Sequence, residues 1–189
     1  MANDELLTIL RKGTAAWNAW LENFKPDLSR LDIGLDLSGA DLVGMDLSEG
    51  VHLGFANLTQ ANLFRANLSG ADLRWANLCG AQLVRADLGW TILSQADLSG
   101  ADLTEAQLAH SNLNKAVLSR AILSRARFGD TVFGDVDLSE TIGLDKGWHG
   151  GPSAIDFRTL SRSGNLPISF LRGCGLPDAL IEYLPSLLR

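Results

Sequence analysis

From Val51 to Glu140, apolar and small residues recur at every fifth position without a gap. The stretch divides into 18 blocks, among them ANLTQ, ANLFR, ADLSG and ADLTE. The third position is Leu in 16 blocks and Phe in two (Phe128, Phe133), and the first position is Ala in 13. Upstream the third-position residues are Leu28, Ile33, Leu37, Leu42 and Leu47, followed by Leu53. One step of four and one of six cancel, so 23 blocks span residues 26–140. A period of five fits neither 3.6 nor 2, which excludes an amphipathic helix and an alternating strand. One large and one small inward position per block suit a narrow solenoid whose sides all look alike. Four of the five blocks that do not begin with Ala start at Val51, Thr91, Ser111 and Thr131, positions separated by multiples of 20. A square coil of four blocks, 20 residues, would stack them in one column.

The flanks follow other patterns. In residues 1–25, Leu6, Leu7, Leu10, Trp17, Trp20, Leu21 and Phe24 recur at three- and four-residue spacing, with Gly13 and Thr14 as a stop and restart. Two short helices covering the open edge of the first coil are expected. The alternative, a membrane-surface helix, is less consistent with the balance of Asp4 and Glu5 against Arg11 and Lys12. After Glu140 the period stops. Residues 141–153 read as a glycine-rich loop and residues 154–189 as two or three short helices. In the last of these, Pro177 takes the favoured first-turn position. Leu176, Leu180, Ile181, Leu184, Leu187 and Leu188 there could cap the last coil or pair with a second copy, leaving monomer and homodimer both open.

The A(D/N)LXX blocks of residues 26–140 resemble those of the pentapeptide-repeat family. That resemblance implies an all-β, right-handed quadrilateral β-helix with the central Leu and the preceding small residue inside, closed by short α-helical caps at both ends. The 23 blocks would make 5.75 coils, a rod about 27 Å long at the usual strand spacing, and each coil buries its core only against its neighbours. The tail GWHGGPSAIDFRTLSRSGNLPISFLRGCGLPDALIEYLPSL is similar to a segment following such repeats in bacterial, often cyanobacterial, proteins. In some of these it leads into a Toll/interleukin-receptor-like signalling domain. A regulatory module of a bacterial signalling system is therefore one functional expectation, whether the chain stands alone or represents half of a larger protein.

Composition narrows the functional classes. Leu (35), Ala (21) and Gly (19) fill 75 of 189 positions, and 20 of the leucines are the central residues of blocks. No run of about 18 apolar residues offers a membrane span. The N-terminus lacks the pattern of a secretory signal, and Cys79 and Cys174 suggest no disulfide framework. A cytoplasmic location is the expectation. The three histidines, His52, His110 and His149, have no metal-ligand spacing. The glycines around His149, and Gly173 and Gly175, lack the strand and helix a phosphate cradle needs. The carboxylates at second positions (Asp36, Asp41, Asp46, Asp97, Asp102) follow from the repeat itself. No catalytic group, metal site or cofactor site is expected, and the protein reads as a non-enzyme.

The net charge of −6 argues against direct nucleic-acid binding. The family resemblance implies a different link to nucleic acid, mimicry of DNA by acidic rods that act on gyrase. Residues 31–140 carry 14 acidic and seven basic side chains, net −7. This is sparse beside a duplex, which carries one charge per about 1.7 Å. Stacking by 20 also places Arg65, Arg85 and Arg125 in one outward column interrupted only by Glu105, and Arg74, Lys115, Arg120 and Arg127 add positive charge. Outward apolar residues are more informative. Phe55 is expected beneath the N-terminal cap, and Val117, Ile122 and Val132 beneath the C-terminal helices. Trp75, Trp90 and Ile92 lie mid-rod, either covered by a folded-back tail or forming, with Arg65 and Arg85, a surface for a protein partner. The leading expectation is a protein-binding scaffold; a DNA-mimic modulator of gyrase or topoisomerase is the alternative.

Overall fold

The structure, a computed structural model, describes residues 8, 9, 12, 13, 15–17, 19, 34–48 and 51–188. Most of the expected N-terminal helical cap, and the repeats centred on Leu28 and Ile33, lie outside these residues. Of the cap, Trp17 is helical and buried, and its indole Nε1 donates to the Asp46 carbonyl at 2.7 Å.

Asp72 pairs with Ile92, Asn77 with Asp97, Gln82 with Asp102 and Asp87 with Gln107, all in parallel, so four sides repeat every 20 residues. Upstream of the six-residue step the same pairs are 21 apart, as in Asp36 with Asn57 and Asp46 with Asn67. The first and third positions of the blocks are buried throughout the repeats from Val51, with Ala and Leu alternating in size around the interior.

Local chemistry explains the block. The Asn or Asp at the second position accepts a hydrogen bond from the backbone N–H two residues on, as Asn57 does from Thr59 (3.2 Å) and Asp97 from Ser99 (2.9 Å). The chain then turns: the Ala61 N–H donates to the Leu58 carbonyl at 3.0 Å, and the fifth residue between them is left-handed. Glycine serves at Gly70, Gly80 and Gly100, but 14 non-glycine residues, from Phe55 to Asp135, hold the same conformation at φ of 50–64°. Each costs on the order of 1 kcal/mol, which the backbone ladder and the filled interior offset.

Thr91, Ser111 and Thr131 stack in one column, fully buried. Their hydroxyls donate to backbone carbonyls: Thr91 to Leu68 (2.9 Å), Ser111 to Leu108 (2.7 Å) and Thr131 to Leu108 (2.8 Å). A polar residue replaces Ala inside the coil there because a carbonyl is in reach.

Beyond Glu140 the structure departs from the expected loop. The chain makes another turn of coil without the repeat: Ile142 pairs with Ile122, then β1 (Arg127–Phe128) pairs with β3 (Trp148–His149) and β2 (Val132–Phe133) with β4 (Ala154–Ile155), all parallel. The spacing drifts from 20 to 21 to 22 residues, the first extra residue being taken up by a 3-10 turn over Leu144–Lys146 and the second between His149 and Ala154. Gly143, at φ 82°, permits the turn, because a side chain there would strike the backbone of Ser124.

Three helices follow, α1 (Phe157–Ser163), α2 (Ile168–Gly173) and α3 (Asp178–Leu187). The side chains of α1 and its N-cap replace the missing coil at the open edge. Thr159 Oγ1 accepts from Val136 N (3.0 Å) and donates to the Phe133 carbonyl (2.9 Å); Ser163 Oγ accepts from Leu138 N (2.9 Å); Asp156 Oδ1 accepts from Asp135 N (3.1 Å). Beneath them Phe170 packs edge-on against Phe128 and Phe133, with the His149 ring beside both Phe128 and Phe170.

Candidate functional site

Two surfaces stand out on the coil. The first lies on the side formed by the blocks at 51, 71, 91, 111 and 131. At one of its edges Phe55 and Trp75 stack in parallel, centroids 5.9 Å apart. At the other, Trp90 stacks on His110 at 3.9 Å. Ile92 lies between, bridged on either side to Asp72 and Asn112. Trp75 is 50% exposed, Trp90 66% and Ile92 38%, so no folded-back tail covers them. Phe55 is likewise 54% exposed and stacks on Trp75, while most of the cap expected over it lies outside the described residues. Val117 is exposed too, while Ile122 and Val132 are half-buried beside the extra turn of coil, at its pairs with Ile142 and Ala154. The C-terminal helices pack on the end of the rod and leave its sides open.

The second surface is an open cleft of about 620 Å³ lined by Arg85, Glu105, Gln107, Arg125, Arg127, Lys146 and Trp148. The stacking register places Arg85, Glu105 and Arg125 one above another. Glu105 accepts from Arg85 Nε at 2.6 Å and faces Arg125 at 3.6 Å. The Arg85 hydrogen bond and charge, with Arg125 behind them, hold the Glu105 carboxyl below its ordinary value. Gln107, Arg127 and Trp148 form the adjoining column through the pairs Gln107–Arg127 and Arg127–Trp148. Arg65, from the same arginine column as Arg85, stands apart from the cleft, its guanidinium over the Phe64 ring at 5.1 Å. Lys146 and Trp148 were not legible as site residues, because the segment that carries them reads as a loop. The only hint was that Trp148 lies 21 residues past Arg127, one step off the coil period.

The C-terminal residues divide into two faces. Ile181 and Leu184 are buried and Leu176 and Leu188 pack against the core, whereas Leu180, Tyr183 and Leu187 are exposed. An apolar groove of about 490 Å³ runs between α2 and α3, lined by Leu166, Ile168, Leu171, Ile181, Leu184 and Leu188 among others. His149 sits in the aromatic core with both ring nitrogens buried and unpartnered, and burial lowers its pKa from 6.5. Burial pushes the Cys174 thiol up to about 12, leaving it an inert core residue. Among the described residues, no group of three or more His, Cys, Asp and Glu side chains could hold a metal, and no helix is long and apolar enough to cross a membrane.

Comparison with known proteins agrees with the architecture. The family model of pentapeptide repeats matches eight copies, over residues 49–83, 81–120 and 101–140. The chain belongs to the pentapeptide-repeat family. Right-handed quadrilateral winding is what membership implies for the square coil seen here. No curated protein matches the chain significantly. Among solved structures, HetL, a pentapeptide repeat protein involved in heterocyst differentiation regulation from the cyanobacterium Nostoc sp. strain PCC 7120, is 32% identical with a TM-score of 0.32. The match covers 63% of this chain and 66% of HetL, just under two thirds of that protein's length. A pentapeptide repeat protein from the Arabidopsis thaliana thylakoid lumen is 34% identical, with 52% of this chain and 68% of that one covered and a TM-score of 0.31. Full-length QnrB1, a plasmid-mediated fluoroquinolone resistance protein, is 19% identical over 86% of this chain and 93% of its own, with a TM-score of 0.40. Pentapeptide-repeat proteins are generally non-catalytic.

Proposed function

We propose that the protein is a non-enzymatic scaffold that presents the outside of its coil to a protein partner, with helical caps at both ends keeping the rod monodisperse. The observation that carries this reading is the face holding Ile92. Leu and Ala, with a few buried Val, Thr, Ser and Phe side chains, fill the interior from Val51 onward, so the coil has no room for a substrate. Yet aromatic pairs flank Ile92 on the outside, and an exposed apolar patch of this kind lowers solubility unless a partner covers it. Trp75 and Trp90 would be the anchors, aromatic residues being the commonest centres of binding energy at interfaces.

Site-specific photo-cross-linking in cells that express the protein tests this. A photoreactive residue at position 92 should give a discrete adduct that is lost on replacing Trp75 and Trp90 by Ser. The same residue at position 79, on the neighbouring side, should not. No adduct from position 92, or the same adducts from both positions, contradicts the reading. The alternative, duplex mimicry on gyrase, meets the cluster of Arg85, Arg125, Arg127 and Lys146, which interrupts any acidic stripe. An effect on supercoiling at micromolar concentration would favour it over the scaffold. A homodimer through α3 would draw on Leu180, Tyr183 and Leu187, its large apolar residues left exposed. Light scattering of a Tyr183→Arg/Leu187→Arg variant reads that directly.

A further inference from the structure

We infer that the cleft at Arg85–Trp148 binds an extended acidic segment of a partner protein. The inference rests on the scaffold reading and supplies it with a second, chemically distinct contact on another side of the rod.

Charge comes first. The chain as a whole is net −6, but four cations converge on this cleft and one carboxylate accompanies them, a local charge of +3. Glu105 is shared by Arg85 and Arg125. Arg127 and Lys146 make no ion pair with any described residue, although both point into the same space. Four exposed cations held this close repel one another, and a ligand bearing two or more negative charges removes that repulsion.

Shape separates the ligand classes. The cleft runs along the rod from the coil of Arg85 to the turn of Lys146, three coil spacings or about 14 Å. Four residues of extended chain cover that length at about 3.4 Å each. Nothing encloses it as a pocket for a nucleoside would, and Glu105 sits in the middle of the arginine column, facing any ligand with evenly spaced phosphates. A peptide can set a neutral residue opposite Glu105 and carboxylates opposite the cations on either side.

Trp148 gives the cleft an apolar wall. It is 61% exposed yet held in place. Its backbone N–H donates to the Ala126 carbonyl at 2.9 Å, and the edge of its indole lies over Gly150, where a side chain would sit 2.8 Å from Cζ3. A pre-positioned ring loses little freedom on contact, and its face can take the aliphatic part of a neighbouring peptide side chain.

The test uses the full chain and fluorescein-labelled hexaglutamate as the probe, with hexaglutamine as the neutral control, read by anisotropy at about 50 mM salt where screening is modest. Arg127→Glu/Lys146→Glu removes the cleft's unpaired cations. Lys115→Glu/Arg120→Glu makes the same change in net charge elsewhere on the rod, and circular dichroism verifies that both variants fold. Expected are saturable binding of hexaglutamate, none of hexaglutamine, at least about a tenfold loss in the cleft variant and less than about a twofold change in the control. No hexaglutamate binding, or equal losses in both variants, overturns the site. Displacement of the peptide by ATP at a tenfold lower concentration than by unlabelled hexaglutamate overturns the peptide in favour of a phosphate ligand. None of these outcomes touches the cross-link from position 92, so the two readings fail separately.

Discussion

The coils between Val51 and Asp135 and the turn of chain that follows share one parallel ladder, but their side chains do different work. In the repeated coils an Asn or Asp at the second position stabilises many of the corners, the interior is mostly Leu against Ala, and one coil closely resembles the next. In the turn over 141–155 there is no Asx series. The interior becomes aromatic, and the hydrogen bonds of the last open edge go to Thr159, Ser163 and Asp156. Repetition makes a uniform surface; the loss of repetition concentrates chemistry. Lys146 and Trp148 are brought beside Arg125 and Arg127 only because the coil outlasts its pattern.

The contrast can be broken at several strengths. Phe170→Ala removes the ring that joins Phe128, Phe133 and His149, and should cost about 4 kcal/mol in urea unfolding. Leu88→Ala, in an interchangeable layer, should cost nearer 3 kcal/mol; a larger loss there than at Phe170 would reverse the comparison. Next comes the edge. Thr159→Ala leaves Val136 N without its acceptor and should cost about 1–3 kcal/mol, whereas Thr91→Val should cost less than about 1 kcal/mol, since the Leu68 carbonyl still accepts from Ala71 N at 3.0 Å.

Acidity probes the same end of the molecule. Burial lowers the pKa of His149 in the folded chain, so the unfolded chain takes up the proton first as pH falls. The stability associated with the neutral ring is complete above the unfolded value near 6.5 and declines below it. Thermal unfolding between pH 7.5 and 5 should show that decline, and His149→Phe should reduce it; an unchanged slope would remove His149 as its source. The smallest effect belongs to the regular coils: Gln95→Gly relieves a left-handed non-glycine residue at φ 64° and should raise stability by up to about 1 kcal/mol. Destabilisation there would mean the Gln95 side chain contributes more than its backbone strain costs.

Much of this was legible in the sequence, for reasons that mark the boundary of what was not. The period of five displayed the interior directly, because every Leu and Ala of a block has one role, and Thr91, Ser111 and Thr131 disclosed the four-sided coil by sharing a column. The arginine column containing Arg85 and Arg125 followed from the same arithmetic. Lys146 and Trp148 did not, since the glycines of 143–151 break the period while the backbone ladder survives it. The edge cap was hidden differently. Thr159 and Ser163, four apart on one helix face, look like ordinary surface hydroxyls until the unpaired strand edge beneath them is known. The exposure of Trp75 and Trp90 depended on where the tail packs, a long-range fact that no local spacing carries.

The central claim is that the coil continues through residues 141–155 and thereby completes the basic cleft. Amide hydrogen exchange tests it most directly. The N–H groups of Trp148, Gly150 and Ala154 donate to the carbonyls of Ala126, Phe128 and Thr131 at 2.8–2.9 Å. They should be protected to within about an order of magnitude of Ile92 and Asn112 in the regular coils. Exchange of these three amides at the rate of an open loop would contradict the account and dissolve the cleft with it.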